Sequence, residues 1–194
     1  MRITILGAGN IGLAAGTKWK AKGHDITFGV RDPQSQKAWN AISIGAKVTT
    51  FQESMTDAEV VLVAIPFGVA DEVLKSIDVE WEGKIIIDAI NPISASTEPF
   101  ESALEAIGAW TGSADVVKAF NTTGVGNMMN PEYDGKAIET FICGDEIESK
   151  KVVPIKENIK KEVKKEKKAE SILKKLTNYM SKAFDKVKSF FRTV

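Results

Sequence analysis

The sequence predicts an α/β fold, a Rossmann-type doubly wound, mainly parallel sheet, with a C-terminal basic amphipathic helix. Three observations carry this: short apolar runs alternate with stretches of helical spacing, the first run leads into Gly7-Ala8-Gly9-Asn10-Ile11-Gly12, and the charge balance reverses near Ser149. Continuous apolar strands separated by helices are the pattern of a parallel sheet covered on both faces.

The strands are expected at Ile3 to Leu6, Asp25 to Val30, Val60 to Ile65, Lys84 to Asp88, Val116 to Phe120 and Glu139 to Cys143. Between the first two, Ile11, Ala14, Ala15 and Trp19, with the small Gly12 and Gly16, form an apolar helical stripe that Gly23 stops. Pro33, Pro66, Pro92 and Pro131 follow or flank strands, where the chain leaves the sheet. In open α/β sheets ligands bind at that edge, so Ile65-Pro66-Phe67, Asn91-Pro92 and Phe120-Asn121-Thr122 are expected to line one cleft.

Charge divides the chain. Residues 1–149 carry 11 basic and 21 acidic side chains, and residues 150–194 carry 15 and 5, a polarity hidden by the zero net charge. Residues 1–149 are read as an NAD(P)-binding Rossmann domain, 150–168 as a lysine-rich linker or solvated helix, and 169–194 as an amphipathic helical tail. In the tail Ile172, Leu176, Met180, Ala183, Val187, Phe190 and Val194 recur every three or four residues, mostly with lysines between them. The favoured destination of this face is the body's own sheet or a twin subunit. An anionic membrane surface comes second, as a peripheral contact, and nucleic acid is not expected.

The lone cysteine, Cys143, excludes an intrachain disulfide and an all-cysteine metal site, and no metal ligand set is expected. No secretory h-region precedes the first strand, and the longest mostly apolar stretch, Val60 to Ala70, is too short to span a bilayer, so a soluble, cytoplasmic protein is expected. Cys143 is read as a small core residue, and Trp19, Trp39, Trp81 and Trp110 as packing residues.

The glycine turn has the spacing of a dinucleotide site. Gly7 permits a tight exit from the strand, Gly9 lets backbone N–H groups approach a pyrophosphate, and Gly12 lets the helix pack closely on the sheet. At the end of the second strand an acidic side chain would hold a ribose hydroxyl and a basic one a 2′-phosphate. The chain reads Gly29-Val30-Arg31-Asp32 there, with Asp32 also able to cap a helix beginning at Pro33. Arg31 offers a planar fork suited to phosphate, so NADP is favoured over NAD.

No side chain stands out as the catalytic acid or base. The only histidine, His24, falls in a turn before the second strand, opposite the cleft; Tyr133 lies in a polar loop, Tyr179 in the tail, and Lys118 inside a strand. Hydride transfer between nicotinamide and another conjugated ring asks the protein mainly to align two planes, and is the simpler expectation.

The residues resemble the NADPH-dependent reductases of the deazaflavin coenzyme F-420, related to the amino-terminal domain of pyrroline-5-carboxylate reductases and the cytosolic domain of membrane metalloreductases. The likeness covers about residues 1–153. It rests on Gly7 to Gly12, Gly23-His24-Asp25, Gly29 to Pro33, Ala64-Ile65-Pro66-Phe67, Ile87 to Pro92, Val117 to Thr122, and Ile142-Cys143-Gly144-Asp145. The resemblance implies that Gly9, Asn10 and Ile11 bind the pyrophosphate and Arg31 the 2′-phosphate. It places the Pro66 and Asn91 loops at the nicotinamide, and Asn121 and Thr122 before a small-molecule hydride acceptor, a deazaflavin or flavin. It also implies a homodimer. The other readings are an imine or carbonyl reductase of a small metabolite, and a noncatalytic NADP-binding module localised by its tail.

Overall fold

The computed structural model describes residues 1–93 and 95–153. The chain runs β1 (Arg2–Leu6), α1 (Asn10–Ala21), β2 (Asp25–Val30), α2 (Gln36–Ser43), β3 (Lys47–Thr50), α3 (Phe51–Ser54), β4 (Val60–Val63), α4 (Phe67–Ser76), β5 (Ile85–Asp88), α5 (Ala103–Thr111), β6 (Val116–Ala119), α6 (Val125–Met129), β7 (Glu132–Tyr133), β8 (Lys136–Ala137), β9 (Ile142–Cys143) and α7 (Ile147–Val152). The main sheet has the order β3-β2-β1-β4-β5-β6-β9, parallel from β3 to β6 and closed by antiparallel β9. This is the Rossmann arrangement, with its switch point between β1 and β4, where crossovers reverse direction.

Register follows from burial. Ile3 to Leu6 pair with Ile26 to Gly29 on one side and with Val60 to Val63 on the other. All four residues of β4 are buried, as a central parallel strand requires. Leu6, Val61, Val63 and Ile86 pack with Val73 and Leu74 of α4 and Ile107 of α5 in one apolar cluster. On α1, Gly16 lies so close to the sheet that a Cβ there would meet Phe28 Cζ at 2.6 Å. Helix and sheet therefore touch almost backbone to side chain.

Two elements escape the sequence pattern. β3 carries Lys47, Val48, Thr49 and Thr50, none fully buried, because an edge strand needs no continuous apolar run. The segment around Tyr133, read as a loop, is the hairpin β7-β8, turned by Asp134 and Gly135 at φ 51° and 69°. Two side chains differ from expectation. Cys143 is exposed, because β9 is a two-residue edge, and Trp39 is 55% exposed on α2. Trp19 and Trp81 are buried, and Trp110 packs between Phe67 and Phe100.

α7 runs across the charge boundary and is tied to the sheet: Ser149 Oγ donates to Asp115 Oδ1 at 2.6 Å, and Val153 is buried. The rest of the lysine-rich segment and the amphipathic tail at 169–194 lie outside the described residues.

Candidate functional site: a nucleotide turn and the cleft beside it

The turn after β1 is built by two crowded glycines and one open one. Gly7, at φ 105°, donates its amide to the Gly29 carbonyl at 2.9 Å, and a Cβ there would meet the Ala64 carbonyl oxygen at 2.6 Å. A Cβ on Gly12 would run into the Gly7 carbonyl oxygen. Gly9 is different: nothing lies within 4 Å of its Cβ position.

Gly9 is also the N-cap of α1. No side chain caps this helix and its first turn holds no acidic residue, so the positive helix end is neither covered nor neutralised by the protein. An open approach over Gly9 beside uncapped amides fits a pyrophosphate. Asn10 and Ile11 form the first turn of α1, and Ile11 continues into the cleft described below.

At the carboxyl end of β2, Arg31 is exposed and makes no ion pair among the described residues. Asp32 Oδ1 accepts the Gln34 amide at 2.8 Å, and its carbonyl accepts the Ser35 hydroxyl at 2.7 Å. The helix that follows starts at Gln36, not Pro33, and Ser35 rather than Asp32 caps it, accepting from the Ala38 amide. Ser35 takes that place because its hydroxyl both ties back to Asp32 and reaches forward into the helix. Asp32 is thereby held in an Asx turn, and Arg31 is the charged group left open at this strand end.

A cleft of about 280 Å³ opens at the carboxyl ends of β4, β5 and β6, beside α1. It is lined by Ile11; by Ala64, Ile65, Pro66 and Phe67; by Ala89, Ile90 and Asn91; and by Phe120, Asn121 and Thr123. Seven residues expected at the site, Ile11, Ile65, Pro66, Phe67, Asn91, Phe120 and Asn121, thus meet in one cavity. Pro92 and Thr122 are not among its walls. Thr122 Oγ1 instead lies 3.3 Å from Thr140 Oγ1 and accepts the Phe141 amide at 3.3 Å. Two wall aromatics are backed by tryptophans: Phe67 by Trp110, with ring centroids 5.4 Å apart, and Phe120 by Trp19 at 6.0 Å.

The turn is reversed by Phe120, whose φ of 71° is left-handed and costs a residue with a Cβ about 1–2 kcal/mol. Burial against Trp19, with only 9% of the residue exposed, holds it there. A larger groove of about 420 Å³ lies beside α3, lined by Arg2, Thr4, Lys47 and Glu53 among others. Four of its five hydroxyls are already bonded: Thr4 to the Ser54 carbonyl at 2.5 Å, Thr56 to the Glu53 carbonyl at 2.9 Å, Ser54 to the Phe51 carbonyl at 2.7 Å, and Thr49 to the Glu53 carboxylate. The smaller cleft, beside the glycine turn, is the candidate site.

Beneath it lies a pair of charges that sequence reasoning missed. Asp88 is fully buried at the end of β5, and its Oδ2 accepts from Lys118 Nζ of β6 at 2.9 Å. The same ammonium donates to the Ile90 carbonyl, while the Ile90 amide donates to Asp88 Oδ1 at 2.8 Å. Both polar groups of Ile90 are therefore clamped, one residue before Asn91. Burial pushes the Asp88 carboxyl up from its ordinary value, against the pull of the Lys118 charge, the Lys118 hydrogen bond and the Ile90 amide. The signal was available: Asp88 and Lys118 are each the charge in an apolar strand, at the cleft edge of neighbouring strands, where parallel pairing sets them opposite one another.

His24 sits in the turn before β2, where burial and the amino-terminal charge lower its pKa. Among the described residues no three His, Cys, Asp or Glu side chains cluster as metal ligands, and no helix is long and apolar enough to cross a membrane.

The family model described as NADP oxidoreductase coenzyme F420-dependent matches residues 2–92, from β1 through the Asn91-Pro92 loop. That match takes in β1 to β5 and ends before α5. Across 125 residues the chain is 30% identical to the F420-dependent NADP reductase of Methanothermobacter marburgensis, covering 59% of this chain and 54% of that protein. Over 153 residues it is 28% identical to Metalloreductase STEAP3 of Rattus norvegicus, covering 78% of this chain and 30% of the relative. The chain thus spans about half, or less, of the length of these relatives. A crystal structure from Arthrobacter sp. FB24, described as an f420 dependent nadp-reductase, superposes with a TM-score of 0.64 at 24% identity, covering 79% of this chain and 78% of that one. The matched segment supplies β1 to β5 of the sheet and the cleft walls from Ile11 to Asn91, while Phe120, Asn121 and Thr123 lie beyond it.

Proposed function

We propose that this chain is an NADP-dependent oxidoreductase that passes hydride between nicotinamide and a small conjugated acceptor, a deazaflavin or flavin-like ring, in the cleft beside the glycine turn. The observation that carries the reading is the start of α1: an open, uncapped helix end at Gly9 adjoining a cleft walled by Ile65, Pro66 and Asn91.

In this reading the amides of Gly9, Asn10 and Ile11 bind the pyrophosphate, and Arg31 takes the 2′-phosphate bidentately. Gly7 and Gly12 keep the turn tight enough to present those amides. Ile65, Pro66 and Asn91 hold the nicotinamide end, with Pro92 fixing the exit of that loop. Phe67 and Asn121 face the acceptor. The nicotinamide supplies or takes the hydride. Lys118 bonds Asp88 and the Ile90 carbonyl, so its part is to position the loop that leads to Asn91. Rossmann-domain boundaries at 1–149, a homodimer and a location in the cytoplasm belong to the same proposal.

The test is anaerobic mixing of the full chain with NADPH and, separately, with NADH, each with a deazaflavin or free flavin. Expected is loss of the reduced nicotinamide band, faster with NADPH than with NADH. No oxidation with either acceptor, from a chain that binds NADPH, would reject the hydride-transfer reading and leave a binding module.

A further inference from the structure

Among the described residues, one buried side-chain polar atom lacks a hydrogen-bond partner. Thr4, Thr17, Ser76 and Thr111 each donate to a backbone carbonyl, at 2.5, 2.7, 2.8 and 2.7 Å. Thr123 Oγ1 is buried and has no hydrogen-bond partner, and Thr123 lines the cleft. A buried hydroxyl left unbonded weakens a fold, so an orphan in a cavity marks a place that something else completes.

The turn around it explains the placement. Phe120, in the left-handed region, is joined to Thr123 by a 3.4 Å bond from the Thr123 amide to the Phe120 carbonyl. Inside this turn the side chains alternate. Asn121 and Thr123 belong to the cleft, while Thr122 is engaged by Thr140 and Phe141. Strain at Phe120 thus accompanies a buried, unbonded hydroxyl on a residue that lines the cleft together with Ile65 and Pro66.

We infer that Thr123 is a ligand-contacting residue of the cleft, its hydroxyl donating to a ring-borne carbonyl oxygen: a carboxamide or an imide C=O on a planar heterocycle. The inference rests on the proposed cofactor reading, since it is that reading which puts such rings in the cleft. The two sources of the group are the carboxamide of the nicotinamide and a carbonyl of the acceptor ring. Asn121 then flanks the same ring, and Thr122 serves only to anchor the turn.

The test uses the full chain as wild type, Thr123→Val and Thr123→Ser, with Thr123→Ala added in case the valine methyl crowds the turn. Equilibrium titrations are run with NADPH, with adenosine 2′,5′-bisphosphate as the half of the cofactor without nicotinamide, and with riboflavin in the presence of NADP. Valine keeps the shape and deletes the hydroxyl, so it is expected to weaken one ring ligand about three- to tenfold. Serine restores binding. Relief of the orphan raises the Tm of the free Val variant by about 2–4 °C, a gain in stability paired with a loss in affinity.

Weaker NADPH with unchanged adenosine bisphosphate assigns the hydroxyl to the carboxamide. Weaker riboflavin with unchanged NADPH assigns it to the acceptor. Unchanged affinity for both rings in a chain that binds NADPH overturns the inference and leaves the cofactor reading standing. A wild-type chain that binds no NADPH overturns both.

Discussion

Replacing Lys118 by Met is the perturbation for which the structure gives the sharpest expectation. Met has similar length and no charge, so the change removes the ammonium while filling most of its space. Left behind are a fully buried Asp88 carboxylate and an Ile90 carbonyl without its donor. Breaking a buried pair by deleting one member costs about 3–5 kcal/mol, because the remaining charge is uncompensated. With 14% of the Lys118 side chain exposed, the low end of that range applies. About 3 kcal/mol corresponds to a Tm fall of roughly 6–12 °C in a domain of this size.

The dependence on pH has a definite sign. Burial already raises the Asp88 carboxyl above its ordinary 3.8, and losing Lys118 raises it further. A native carboxyl that holds its proton more tightly than the unfolded chain contributes stability in acid and loses it as pH rises through the native value. The deficit of Lys118→Met relative to wild type is therefore smallest in acid, constant up to the raised Asp88 value of wild type, and grows from there, by at most about 1.4 kcal/mol per pH unit, until Asp88 of the variant is ionised. Urea titrations from acid to neutral pH measure it. Asp88→Asn combined with Lys118→Met removes the stranded charge and is expected to recover part of the loss. A single variant within about 1 kcal/mol of wild type at neutral pH, or a double variant no better than the single, refutes the account.

Three further outcomes follow from the same geometry. Gly12→Ala drives a Cβ into the Gly7 carbonyl and should destabilise the fold by about 1–3 kcal/mol. Gly9→Ala, in open space, should cost about 1 kcal/mol or less yet lose most NADPH affinity by titration. Equal stability losses would break that contrast. Arg31→Ala should lower NADPH affinity about 10- to 100-fold and leave NADH unchanged, the size of a charged hydrogen bond; parallel losses would show that Arg31 does not read the 2′-phosphate. At Phe120, both small substitutions forfeit the Trp19 contact, but Gly tolerates φ 71° and Ala does not. Phe120→Gly should therefore be about 1 kcal/mol more stable than Phe120→Ala, the reverse of the usual order, as chemical denaturation would show.

The parallel core was legible because its signal is redundant: β1, β2, β4, β5 and β6 are each mostly apolar, and the glycine turn announces the first crossover. β3 was not, since an edge strand of Lys, Val and two Thr carries no such run, and the Asp134-Gly135 hairpin was hidden by its polar strands. The cleft was legible to within a loop, because strand ends are fixed by the sheet. Which side chains of a loop turn inward was not. Thr122 and Thr123 are identical in type and adjacent, and the turn that follows the left-handed Phe120 sorts one to Thr140 and Phe141 and the other to the cleft.

That decision is local, but what fixes the two loops relative to each other is not. Asp88 and Lys118 face one another across the β5–β6 ladder, one clamping Ile90 ahead of Asn91, the other two residues before Phe120. The pair therefore joins the wall that carries Asn91 to the wall that carries Asn121 and Thr123. An apolar pair of similar volume could pack the same space without loss of stability. It could not hold both polar groups of Ile90, whose amide and carbonyl would need other partners beneath the cleft. The charges at this sheet edge thus set the geometry of the site, and their contribution to the stability of the fold is secondary.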